Sequence, residues 1–160
     1  MKIVYIAHPI GGNVYRSVKA LTKILREVNL TEPEVVPLAP YYGDVMALND
    51  ENLAERARGL ENGIQVLKSG AIRELWLYGD GITKGMLGEV RLAETLGIPV
   101  VPRTTGTRVA LTALVNEGAL DKPTRSEEKE IETCCYTKCN EPVYNLSHCF
   151  RHWCLANENC

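Results

Sequence analysis

Cysteine is missing from the first 133 of the 160 residues; all six cysteines fall between Cys134 and Cys160. The start of the chain lacks a basic leader region and a small-residue cleavage site, so it does not read as a signal peptide. A cysteine-free main segment without an export signal fits a reducing compartment: the cytoplasm, or a host's cytoplasm if the protein is viral. Long apolar runs are missing too. Nothing approaches the ~20 residues a membrane helix needs, so no membrane partner is expected. An excess of one charge is also lacking. Eighteen basic and 20 acidic residues leave a net charge of −2, which argues against coating nucleic acid by bulk charge. No internal repeat is present. What remains is 45% apolar and 24% charged, the balance of a globular domain.

The apolar pattern alternates between strand and helix. Lys2 to Ala7 is short, β-branched and aromatic, and reads as a buried strand ended by His8-Pro9. Val14, Val18, Leu21, Leu25 and Val28 follow at helical spacing. Glu34 to Leu38 reads as a second strand and Ala39 to Asn49 as a loop bearing Tyr41 and Tyr42. Asp50 is placed to cap a helix whose stripe is Leu53, Ala57, Leu60, Ile64 and Leu67. Ile72 to Tyr78 reads as a third strand. A helix then runs to about Leu96, with Gly97 past its end. Ile98 to Val101 reads as a fourth strand, and a last helix covers Arg108 to Glu117.

Connections of this length require parallel pairing with right-handed crossovers. The expectation is an α/β domain over residues 1–120: a three-layer, doubly wound parallel sheet of about four or five strands, flavodoxin- or Rossmann-like. Ligands bind such sheets at the carboxyl ends of the strands. That rule selects the loops His8 to Asn13, Ala39 to Asn49, Gly79 to Gly85 and the turn after Val101. Residues 121–132 read as a charged linker, since eight of the thirteen residues from Asp121 to Thr133 are charged. Residues 133–160 form a small C-terminal module.

One carboxylate stands on the wrong face of its helix. At 100° per residue, Met86, Val90, Ala93 and Leu96 fall on the side toward the sheet, and Glu89 falls among them. Arg91, Thr95 and Gly88 face away. Burial raises the pKa of such a group and helix N-terminal amides lower it. Inward-facing carboxylates in clefts are functional candidates, set against the common case of a glutamate that only caps a helix. Asp80, at the end of the third strand, reads alone as a simple Asp-Gly turn. Together with Glu89 it places two carboxylates in one crevice, the arrangement of glycosidic chemistry.

Tyr5-Ile6-Ala7-His8-Pro9, then Asp80-Gly81, then Thr83-x-Gly85-x-x-x-Glu89-x-x-x-Ala93 and Gly97-Ile98-Pro99-Val100, resemble the nucleoside 2-deoxyribosyltransferase superfamily. The likeness covers about residues 1–103 and is nearest to that superfamily's small phage and bacterial branch. The resemblance implies that Glu89 is the nucleophile on C1′ of a nucleoside or nucleotide. It implies that Asp80 assists the base and that Tyr5 orients Glu89 through a hydrogen bond. It puts Thr83, Gly11 and Gly12 around a 5′-phosphate, with Gly85 beside them at the helix start. His8 stands where relatives carry a small residue; it reads either as a plain loop histidine or as a contact to phosphate or base. Glu61 and Glu55 are the candidates for the acidic residue that relatives carry on the second helix. Relatives complete the site with a neighbouring chain, so a homo-oligomer is implied.

The tail carries Cys134-x4-Cys139-x9-Cys149-x2-His152. Two close pairs of thiolate and imidazole ligands fit a structural, tetrahedral zinc site, with Cys135 a rival to Cys134. The segment has few large apolar groups and needs such a staple to fold. It resembles the small Cys-Cys-Cys-His knuckles of phage and bacterial proteins, and contact with nucleic acid or protein is open to it. Three functions follow: an enzyme of the N-glycosidic bond, a non-catalytic protein that binds a nucleotide or ribosyl ligand, and a phage interaction factor acting through the knuckle.

Overall fold

The computed structural model describes residues 1–11, 13–49 and 51–120. The linker and knuckle expectations, with Cys134, Cys139, Cys149 and His152, lie outside the described residues, as do Gly12 and Asp50. Within them the chain runs β1 (Lys2–Ala7), α1 (Val14–Thr31), β2 (Val35–Leu38), α2 (Tyr41–Ala47), α3 (Leu53–Lys68), β3 (Ile72–Leu77), α4 (Lys84–Thr95), β4 (Val100–Pro102) and α5 (Thr105–Asn116).

The four strands form one sheet in the order β2-β1-β3-β4, and every pairing is parallel. From β1 the chain first crosses to β2 on one side. It then returns past β1 to β3 and continues outward to β4. The direction therefore reverses between β1 and β3, and in sheets of this kind ligands bind at the strand ends beside such a reversal.

Strand alternation divides the core in two. Val4, Ile6 and Trp76 pack with Leu21 and Val28 of α1 on one face. Tyr5, Ala7, Leu75 and Leu77 pack on the other with Leu67 of α3, with Met86, Val90 and Ala93 of α4, and with partly buried residues of α5. The first face ends in a polar brace: the Arg103 guanidinium lies 4.0 Å from the Trp76 ring centre and pairs with Glu32.

Three expectations are corrected. Ala39 to Asn49 is largely helical: Pro40, compatible with a helix start because its φ is preset, is the N-cap of α2. The cap of α3 is Asn52, whose side chain accepts from the Ala54 amide at 3.0 Å. The apolar stripe of α3 meets the core only at its C-terminal end, where Leu67 is buried. Leu53 is 82% and Leu60 61% exposed, while Gly59, Asn62 and Gly63 turn inward. Contacts at those small residues set the rotation of α3, and they override the stripe.

Among the described residues, no helix is long and apolar enough to cross a membrane.

Candidate active site

The site grows from β1. Tyr5 points to the α3–α4 side of the sheet and is 1% exposed. Its hydroxyl donates to Glu89 Oε1 at 2.7 Å. Glu89 reaches it because α4 begins at Thr83, whose side chain accepts from the Met86 amide at 3.3 Å. That cap sets the phase of the helix: Met86, Val90 and Ala93 go into the core, with Glu89 on the adjoining flank. Leu96, expected among the inward residues, is 42% exposed at the helix end. Gly63 of α3 closes the other side. A Cβ there would stand 3.0 Å from the Tyr5 hydroxyl, so glycine leaves the space the hydroxyl uses.

Two tyrosines hold the frame. The Tyr41 ring lies 6.3 Å from that of Tyr5, tilted by 40°. The Tyr41 hydroxyl donates to the Ile6 carbonyl at 2.9 Å and accepts from the His8 amide at 3.0 Å. It thereby ties the end of β1 to α2. Tyr41 is a structural clasp here, and Tyr42 meets Thr22 at 3.4 Å.

The electrostatics follow from burial. Removal from water pushes the Glu89 carboxyl up to about 7, while the hydrogen bond from Tyr5 pulls it down. Burial, and then the charge of Glu89, holds the Tyr5 phenol above its ordinary range, so it stays a donor. Burial lowers His8, and the charge of Asp80 partly opposes this. His8 Nδ1 is buried without a hydrogen-bond partner.

Asp80 itself is exposed and acts on His8 rather than on the Tyr5–Glu89 pair. Its loop is clamped. Gly79 has φ +114°, and a Cβ there would meet Pro9 Cδ at 2.8 Å. The Thr104 hydroxyl donates to the Gly79 carbonyl at 2.6 Å and that of Thr107 to the Leu77 carbonyl at 3.1 Å. Thr83 and Gly85 are exposed at the start of α4, and Gly11 is exposed after β1, all at the carboxyl end of the sheet. Thr83 accepts as a cap, which leaves its own proton for a ligand.

The structure adds one group to those expected. Asp44 of α2 accepts from Asn62 Nδ2 at 2.9 Å through Oδ1, and its Oδ2 is buried without a partner. Sequence patterns carried no sign of it beyond an acid in a strand-end segment, because its environment is made by the way the next helix, α3, folds back on α2 to bring Asn62 against it. Glu55 and Glu61 are occupied locally instead. Glu55 accepts from the Asn49 amide and from Asn52, and Glu61 from Gln65. Among the described residues, no His, Cys, Asp and Glu side chains gather into a metal site.

The family described as Domain of unknown function (DUF7768) matches residues 2–103. No curated protein and no solved structure matches the chain.

Proposed function

The chain belongs to the DUF7768 family, and we propose that it cleaves or transfers at the N-glycosidic bond of a nucleoside or nucleotide, with Glu89 as nucleophile. The observation that carries this reading is the Tyr5–Glu89 hydrogen bond, 2.7 Å long, which joins β1 to α4 beside the reversal of strand order. A carboxylate there is partly dehydrated, which raises its reactivity, and a phenol that does not ionise orients it. Glu89 attacks C1′. The C1′–N bond breaks and its electron pair leaves with the base, which takes a proton from water, with Asp80 placed to orient the base. The resulting ester then opens to water or to a second base. Thr83, Gly11 and Gly85 offer hydroxyl and amide donors for a 5′-phosphate or 5′-hydroxyl.

The decisive experiment is incubation with a panel of nucleosides and 5′-monophosphates, with free base read by chromatography. Release by the wild type and none by Glu89→Gln is the expected result; no release from any member overturns the proposal.

The reading also sets a pH profile. Attack needs the ionised carboxylate, so kcat/KM rises through about pH 7 and levels off above it. Tyr5→Phe removes the hydrogen bond that favours ionisation. The rising limb then moves to higher pH, and kcat/KM at pH 7 falls by about tenfold. A limb left in place by Tyr5→Phe contradicts the assigned role of the tyrosine.

For the tail we infer from the donor set alone that Cys134, Cys139, Cys149 and His152 hold structural zinc. Metal analysis of the purified full-length protein then finds one zinc per chain, and none in Cys149→Ser. A metal-free wild type refutes it.

A further inference from the structure

We propose that the outward face of α1 binds single-stranded nucleic acid, RNA or DNA, through a row of four cations: Arg16, Lys19, Lys23 and Arg26. This binding does not depend on catalysis at Glu89.

The row follows from spacing. Steps of three, four and three residues keep side chains on one face of a helix, and at 100° per residue these four fall within an arc of about 80°. Leu21 and Val28, the buried residues of α1, lie on the opposite side. All four cations are accordingly exposed. From Arg16 to Arg26 the row is about 15 Å long, at the helical rise per residue. The one acid in the helix is Glu27, on the flank of the row. Among the described residues, no carboxylate pairs with any of the four.

The fold gains nothing from this arrangement. Like charges three and four residues apart on a helix repel. The first turn of α1 holds no acid and its last turn no base, so the helix dipole is left uncompensated at both ends. A helix that needs only solvation mixes both signs, as α3 does with Glu55, Arg58, Glu61 and Lys68. The whole chain carries a net charge of −2, so the row is a local excess and not part of a generally basic surface. Cations held together against their own repulsion fit an anionic partner.

Two features select the class of partner. A narrow line of charges suits a linear polyanion with regularly spaced phosphates. A lipid surface is a plane and would meet Glu27 beside the row; α1 also has no free apolar stripe to insert, because that stripe packs on the sheet. The second feature is Tyr15, next to the first cation and 76% exposed. Among the described residues, neither its ring nor its hydroxyl has a partner. An exposed aromatic at the edge of a basic row is a platform for an unpaired base. A duplex keeps its bases stacked, and an acidic peptide has none.

Fluorescence anisotropy of labelled RNA and DNA oligonucleotides, single-stranded and duplex, tests this with the full-length protein in reductant at low salt. Single strands bind, with log affinity falling against log salt at a slope of about −2 to −3. Lys19→Glu with Lys23→Glu weakens binding by about tenfold or more and flattens that slope, while circular dichroism stays that of the wild type. Arg58→Glu with Lys68→Glu makes the same change in net charge on exposed positions of α3, across the sheet, and leaves binding unchanged. Tyr15→Ala weakens single-strand binding by about tenfold and leaves the slope in place. No binding by the wild type overturns the proposal. So does a Lys19→Glu, Lys23→Glu variant that binds like the wild type, which puts the contact elsewhere in the chain, or equal weakening by the two charge pairs, which means bulk charge. Indifference to Tyr15→Ala, duplex bound as tightly as single strand, or tighter binding to phosphatidylserine vesicles or poly-glutamate overturns it as well.

Discussion

Glu89→Gln abolishes base release, lowering it by about 10³-fold or more, and at the same time makes the fold more stable above pH 7. The two effects share one cause. Burial raises the carboxyl from an ordinary 4.5 to about 7 in the folded chain. The protonated form therefore favours the fold. That contribution is complete below pH 4.5 and is lost as pH rises through 7. At pH 8 the charged side chain costs on the order of 3 kcal/mol relative to an uncharged one. Glutamine keeps a carbonyl oxygen for the Tyr5 hydroxyl and carries no charge. Its melting temperature should exceed that of the wild type at pH 8 and match it near pH 4.5. Thermal melts across this range, beside the base-release assay, check both halves. A stability gap that does not widen with pH means that Glu89 is not dehydrated. Activity within tenfold of the wild type means that it is not the nucleophile.

Gly106→Ala is the second large effect. Gly106 lies in the first turn of α5, and a Cβ there would stand 2.4 Å from the Asp80 carbonyl oxygen, with Asp80 C and Cα at 2.5 and 2.7 Å. All three are backbone atoms, and the loop has little room to retreat. Gly79 is pressed on Pro9 behind it and bonded to Thr104 beside it. Overpacking of this kind costs about 3 kcal/mol, which lowers the melting temperature by about 10 °C in a domain of this size. The Asp80 loop shifts with it, so base release falls as well. Gly88→Ala is the matched control. It sits on the solvent side of α4 with nothing within 4 Å of its Cβ position, and the same change there stabilises by about 0.5–1 kcal/mol. Equal melting of Gly106→Ala and wild type would show that the α5–Asp80 contact is loose.

The inward position of Glu89 was legible because it depends only on the 100° step of one helix and on which residues of that helix are apolar. β1 and β3 were legible for a similar reason: both lie in the sheet's interior, and a strand buried on both faces reads as a continuous apolar run. The rotation of α3 was not legible. Its leucines predict one face and its glycines another, and nothing local says that Gly59 meets Asp44 and Gly63 meets the Tyr5 hydroxyl. The helix α2 was hidden by Pro40, Gly43 and two tyrosines, all common in loops. Its clasp to the end of β1 through Tyr41 joins residues more than thirty positions apart.

By itself, then, the amino-acid order determined the alternation of strands and helices, hence parallel pairing, and the face on which Glu89 stands. These follow from periodicity and chain connection, which act over a few residues. Which group meets that carboxylate, how far it is dehydrated, that Asp44 lies enclosed beside Asn62 and that Leu53 and Leu60 of α3 look outward were decided by tertiary structure alone. Each depends on how separate elements pack around Tyr5, and no local pattern encodes that packing.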